Sequence, residues 1–145
     1  MYVADKDDFY IQNNENIKRL SEEIERRRIA LNKTSGFERL YHRVTKLYFG
    51  GMYRHLEELK RYLKPGAKLA YVVGDQASYL RVLIQTGELL AEIADSIGYK
   101  VLDIDIFRTR ISTATGDQLR EEVVLLEWNG DYKNVVKKQS KKEPV

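Results

Sequence analysis

Apolar residues along this chain recur first at helical spacing and then at strand spacing. From Asn16 onward, Ile17, Leu20, Ile24 and Leu31 fall on one helical face, while Glu22, Glu23, Glu25 and Arg26-Arg27-Arg28 occupy the rest. That distribution predicts a charged amphipathic helix with a solvated outer face. Asn32-Lys33-Thr34-Ser35-Gly36 interrupts it with turn formers, and Ser35 is placed to cap a second helix. Phe37, Leu40, Tyr41, Val44, Leu47 and Tyr48 supply that helix's apolar stripe, which resumes at Met52, Leu56, Leu59 and Leu63. The intervening Gly50-Gly51 predicts a bend, since a glycine costs about 1 kcal/mol relative to alanine inside a helix. Pro65-Gly66 ends the pattern in a tight turn. The first dozen residues show no periodicity and read as loop or extended chain.

Leu69-Ala70-Tyr71-Val72-Val73 is apolar at every position, the pattern of a strand covered on both faces. After a loop from Gly74 to about Gln85, Thr86 is placed to cap a helix. Its core side is Leu89, Leu90, Ile93, Ala94 and Ile97, and Gly98 closes it. Val101 to Phe107 alternates, with Leu102, Ile104 and Ile106 on one face and Asp103 and Asp105 on the other, so this strand is expected to be half exposed. A polar connection from Arg108 to Arg120 leads to a last strand, Val123 to Trp128. The order helix, helix, strand, helix, strand, strand predicts an α/β fold. The first two strands can run parallel through a right-handed crossover, and the last two form an antiparallel hairpin, giving a three-stranded mixed sheet with N-terminal helices. Residues 1–132 are expected to form one domain and residues 133–145 a basic tail.

Composition narrows the chemistry. The chain has 145 residues, 43% of them apolar, enough for one core. There is no cysteine, hence no disulfide and no thiolate metal site. No apolar run approaches the ~18 residues of a membrane span, and a cytoplasmic location is expected. The formal charge of +3 is too small to argue nucleic-acid binding, but five lysines and no acid lie between Lys133 and Lys142. Lys137 and Lys138 in that run, with Arg108 and Arg110, are the candidate nucleic-acid contacts. Arg108, Arg110 and Arg120 can meet phosphates or pair with Glu121 and Glu122. His42 and His55 stand on different apolar stripes, and Asp103 and Asp105 read as solvated carboxylates, so no metal site is expected. The loop Gly74-Asp75-Gln76-Ala77-Ser78-Tyr79 is the best candidate site, because strand ends at a crevice carry function in open α/β sheets.

Four stretches carry a family resemblance: IKRLSEEIERRR, YFGGMYRHLEELKRYLKPGAKLAYVVGD, TGELLAEIADSIGYK and LREEVVLLEW. In this succession, from Ile17 to Trp128, the chain resembles the C-terminal half of class I S-adenosylmethionine-dependent DNA methyltransferases that modify the amino groups of adenine or cytosine. The resemblance implies a partial Rossmann-like fold whose final strands lie in spatial order five, seven, six, with the seventh antiparallel. It also implies that Asp75 and Gln76 border the target-base pocket as hydrogen-bonding groups and Tyr79 as a stacking surface. Two family features are missing from these residues. The nine glycines never cluster as a cofactor loop, and Pro65 and Pro144 are the only prolines, so no Asp/Asn-Pro-Pro-aromatic catalytic loop is present.

The resemblance therefore implies the C-terminal portion, or one subunit, of such an enzyme, inactive alone, with no catalytic residue of its own. S-adenosylmethionine and DNA would be bound only by the complete enzyme. The edge of Leu69–Val73 that does not pair with Val123–Trp128 would be open, with no proline and no charge between Lys68 and Asp75. Its expected partner is the missing N-terminal half or a second copy. The competing class is a non-catalytic α/β module that binds a protein or nucleic acid.

Overall fold

The computed structural model describes residues 5–113 and 115–130. A 3₁₀ turn, Asp7–Ile11, precedes helices α1 (Glu15–Ala30) and α2 (Gly36–Leu59), and a further 3₁₀ turn, Lys60–Tyr62, ends α2. Strand β1 (Ala67–Gly74), helix α3 (Thr86–Ser96) and strands β2 (Lys100–Ile111) and β3 (Gln118–Trp128) follow. The caps are local. Asn14 Oδ1 accepts from the Ile17 N–H at 3.1 Å, and Ser35 Oγ accepts from the Glu38 N–H at 3.3 Å. Thr86 is the first residue of α3 rather than its cap, and the preceding Gln85 makes no side-chain cap bond.

The sheet order is β1-β3-β2, and both ladders are antiparallel. β1 and β2 run in the same direction but are separated by β3, so the expected mixed sheet has no parallel ladder. The reason is that the α3 crossover carries β2 one position too far to pair with β1, and β3 fills the gap. α3 packs against all three strands, α2 against α3, and α1 against α2. Between them lie Ile17, Ile24, Phe49, Leu56, Leu90, Ile93, Val124 and Leu126, all buried. Tyr99 is buried with them, and its hydroxyl donates to the Leu56 carbonyl at 2.6 Å. Burial pushes that phenol up to about 12.

Several expectations change. The N-terminal residues are not a loose loop: Asp7 is buried, and Arg54 Nε donates to its Oδ1 at 3.0 Å. α2 runs unbroken through Gly50-Gly51. A Cβ at Gly50 would stand 1.9 Å from the Asp7 carbonyl oxygen, so this glycine admits the turn rather than bending the helix.

β1 is covered on one face only. Leu69, Tyr71 and Val73 face the helices, while Lys68, Ala70 and Val72 are exposed, Val72 at 70%. The full apolar run disguised the alternation. In β2, register irregularities at Val101/Asp103 and Ile106/Arg108 break the period-two pattern, which leaves Leu102 and Ile106 exposed while Ile104 stays half-buried. β2 and β3 are each longer than expected, so Arg108, Arg110 and Arg120 lie in strands and not in the connection. Among the described residues no helix is long and apolar enough to cross a membrane.

Candidate functional site

Where β1 ends, the chain keeps its hydrogen bonds for two more residues and then turns away. The Asp75 N–H donates to the Arg120 carbonyl at 2.9 Å, and Gln76 exchanges backbone bonds of 3.0 and 2.7 Å with Ile84. The loop between them is closed by Leu80 and Arg81, both in the left-handed region at φ 56° and 63°. This pairing fixes Asp75 under the sheet's end. Its carboxylate is buried, and Oδ2 accepts from Arg120 Nε at 2.9 Å and from the Arg120 N–H at 3.2 Å. The same guanidinium donates to Glu88 Oε1 at 3.1 Å and lies 3.8 Å from Glu122 Oε1. The hydrogen bond to Asp75 holds the Arg120 guanidinium protonated more firmly than usual.

Glu122 is the second buried acid of this cluster. It is only 1% exposed, and its Oε1, like Asp75 Oδ1, has no hydrogen-bond partner. Burial pushes its carboxyl above the usual carboxylate range. Arg120 opposes that shift, and the charge of Asp75 adds to it. A protonated Glu122 donating to Asp75 would satisfy one orphaned oxygen on each residue. Two acids, one arginine and one shared proton then approach neutrality.

A cavity of about 400 Å³ opens beside this cluster. Val44, Thr45, Tyr48 and Phe49 of α2 form one wall, the β1 end from Val72 to Gln76 another, and Tyr79, Thr86 and Arg110 complete it. Asp75, Gln76 and Tyr79, singled out from the sequence, therefore share one cavity. Tyr79 is already stacked on Tyr41, with ring centroids 4.4 Å apart and planes 17° from parallel, which leaves one ring face for anything else. Gln76 Oε1 accepts from Ser78 Oγ at 3.0 Å. A slot with aromatic and aliphatic walls and a few converging polar groups suits a flat ligand bearing hydrogen-bond donors.

Arg108 and Arg110 converge instead on Glu121, at 2.5 and 3.8 Å. The Arg108 hydrogen bond holds the Glu121 carboxyl below its usual range. Both thus pair with an acid, one of the alternatives read from the sequence, and Arg110 alone of the two reaches the cavity. One carboxylate between two guanidinium groups leaves a positive excess on an exposed strand. Lys137 and Lys138 lie outside the described residues. Among the described residues no group of three possible metal ligands occurs. Asp103 accepts from the Ile104 N–H at 2.8 Å, and His55 is hydrogen-bonded to the Tyr71 hydroxyl at 2.8 Å.

Three contributions go beyond the sequence reading, in which Glu122 is only a pairing partner for the arginines. Glu122 had a signal: it stands in the period-two row that continues as Val124, Leu126 and Trp128, all inward. Thr45 and Tyr48 had none, because nothing local says which strand end α2 will face. Compared with family models, with curated proteins and with solved structures, the chain matches none.

Proposed function

We propose that this chain works as the part of an S-adenosylmethionine-dependent DNA amino-methyltransferase that follows the catalytic loop, either as a segment or as a separate subunit. The observation that carries the reading is the strand arrangement. β3 lies antiparallel between two strands of common direction joined by a helix, the order five, seven, six that the resemblance implied. A Rossmann-like relation is part of this proposal. In it Asp75, Gln76 and Tyr79 line the wall next to the target base. The cofactor loop and the Pro-Pro-aromatic loop come from another segment or chain, since neither occurs among these residues. Asp75 is held by Arg120, so its carboxylate serves as a positioned acceptor rather than as a mobile base.

The test is transfer of labelled methyl from S-adenosylmethionine to DNA. The chain alone should give no incorporation, and incorporation should appear when a second polypeptide carrying both missing loops is added. Heat-sensitive transfer by the pure chain, or micromolar binding of S-adenosylmethionine to it in calorimetry, would contradict the reading. The competing class, a non-catalytic binding module, draws support from the exposed apolar residues Phe37 and Val72. It is favoured if the added polypeptide binds but no methyl is transferred.

A further inference from the structure

The buried cluster at the end of β1 is one positive charge short. Asp75 and Glu122 are 2 and 1% exposed, and a single guanidinium, Arg120, lies within 4 Å of both. Glu88, the other acid that Arg120 meets, is half exposed to water. Arg120 directs its donors to Asp75 Oδ2 and Glu88 Oε1, while Asp75 Oδ1 and Glu122 Oε1 receive nothing. A proton held between the two acids supplies the missing charge, and a bound organic cation would supply it equally well.

Asp75 is the member of this cluster that a ligand can meet. Among the described residues lining the cavity of about 400 Å³ it is the one acid, and Glu122 is not part of the wall. Gly87 of α3 closes over Glu122 so tightly that a Cβ there would stand 2.9 Å from Oε1. Most of the remaining wall is apolar or aromatic, with Phe49, Val73, Ile84 and the rings of Tyr48 and Tyr79. Arg110, the one cation of the wall, has Glu121 at 3.8 Å and a side chain 54% exposed, so its charge is screened.

These features select the cation. A guanidinium fits two carboxylate oxygens, and Arg120 already holds Asp75 Oδ2. A hard metal ion needs about six oxygen ligands, and among the described residues no group of three possible metal ligands occurs. A quaternary ammonium has no N–H for the orphaned oxygen. A primary ammonium carries one compact charge and three donors, and an aromatic body attached to it suits the walls. We propose that the cavity binds a small primary arylalkylamine as its ammonium ion, which donates to Asp75 Oδ1 and takes the place of the proton shared with Glu122. One proton leaves to solvent as one ammonium enters, so the charge of the buried cluster is unchanged. Arg120 of β3, Glu88 of α3, Arg110 of β2 and the Tyr48 phenol of α2 surround the exchange. The hydrogen bond to Asp75 keeps Arg120 charged and burial keeps the phenol neutral, so Glu122 is the group that gives up the proton. The inference goes beyond methyl transfer and does not rest on it: the amino group of a base is neutral and would leave the proton in place. Binding is read without DNA or S-adenosylmethionine.

The test uses the full chain with 2-phenylethylammonium as probe. Calorimetry across a pH series, in two buffers of different ionisation enthalpy, counts the protons released, and the ¹³C carboxyl signals of Asp75 and Glu122 report the site. Below the raised pKa of Glu122, affinity should rise by up to about tenfold per pH unit with release of up to one proton, and it should level off above that value. The Glu122 signal should move to its ionised position as the amine is added. Glu122→Gln leaves Asp75 and Arg120 balanced without a ligand, so it should abolish proton release and weaken binding at least about tenfold at the upper end of the series. Asp75→Asn should abolish binding, and Glu122→Gln keeps the test decisive if the asparagine variant does not fold. 2-Phenylethanol, which is neutral, and trimethyl(2-phenylethyl)ammonium, which has no N–H, should each bind at least about tenfold more weakly than the amine. Absence of binding, an affinity independent of pH or a stationary Glu122 signal would overturn the proposal. So would equal binding of either control compound, or binding unchanged by Asp75→Asn.

Discussion

Glu122 brings an acid into the core because it takes an inward position of β3, opposite Val73 and Ile106, while Arg120 approaches from two residues earlier. Around it stand Arg120 of β3, Asp75 beyond β1 and Glu88 of α3. Its folded pKa is raised above the unfolded value of about 4.3. The folded state therefore binds more protons than the unfolded state between the two values, and stability falls as pH rises through that window. Glu121 and Glu25 are shifted the opposite way by Arg108 and Arg28, so their contributions are present above the unfolded value and are lost as pH falls. Glu122→Gln keeps the shape and a donor toward Asp75 while removing the buried charge. Thermal unfolding at pH 8 should occur about 2–5 °C higher in this variant, with the difference gone near pH 4. Asp75→Asn should lower stability by about 1–3 kcal/mol in urea titrations, because it strips a charge-assisted acceptor from Arg120.

At the scale of elements, α2 is more than its periodicity. Its glycine pair reads as a weak point in isolation, yet Gly50 is where the Asp7–Ile11 turn lies against the helix. Gly50→Ala improves helix propensity by about 1 kcal/mol but drives a methyl into the Asp7 carbonyl. The turn must then lift, which strains the ion pair between Asp7 and Arg54. A net loss of about 2–3 kcal/mol is expected in thermal or urea unfolding. Gly36→Ala at the open start of the same helix, where an added methyl meets nothing within 4 Å, should be neutral or slightly stabilising. The pair of variants separates packing from propensity.

For the whole molecule, the small net charge hides an uneven surface. Arg108 and Arg110 share one carboxylate, and their side chains are 67 and 54% exposed. Such a patch binds phosphates weakly and without reading bases. Duplex DNA should therefore bind with a salt dependence that Arg108→Gln with Arg110→Gln reduces by about one to two units of slope. Fluorescence anisotropy across a salt series measures it. Removal of residues 133–145, which lie outside the described residues, should lower affinity further if the lysines there meet the backbone.

What the sequence determined by itself is what depends on near neighbours. Helical spacing and the caps at Asn14 and Ser35 set α1 and α2, Pro65-Gly66 and Gly98 divide the helical stretches from β1 and β2, and the order of elements put Asp75 at a strand end. The lack of proline and charge in β1 was legible for the same reason, since it is a property of one short run, whereas its place at the edge of the sheet depends on the order β1-β3-β2. Tertiary structure decided whatever depends on distant partners. β3 between β1 and β2 removes the parallel ladder, and two irregularities in β2 overturn the alternation of Leu102 and Ile106. Placing the helices on one side leaves Val72 exposed. The arginines divide among Asp75, Glu88 and Glu121 because strand register, and not chain distance, brings opposite charges together. The cavity itself joins residues from Val44 to Arg110, and no local pattern holds the distance between them.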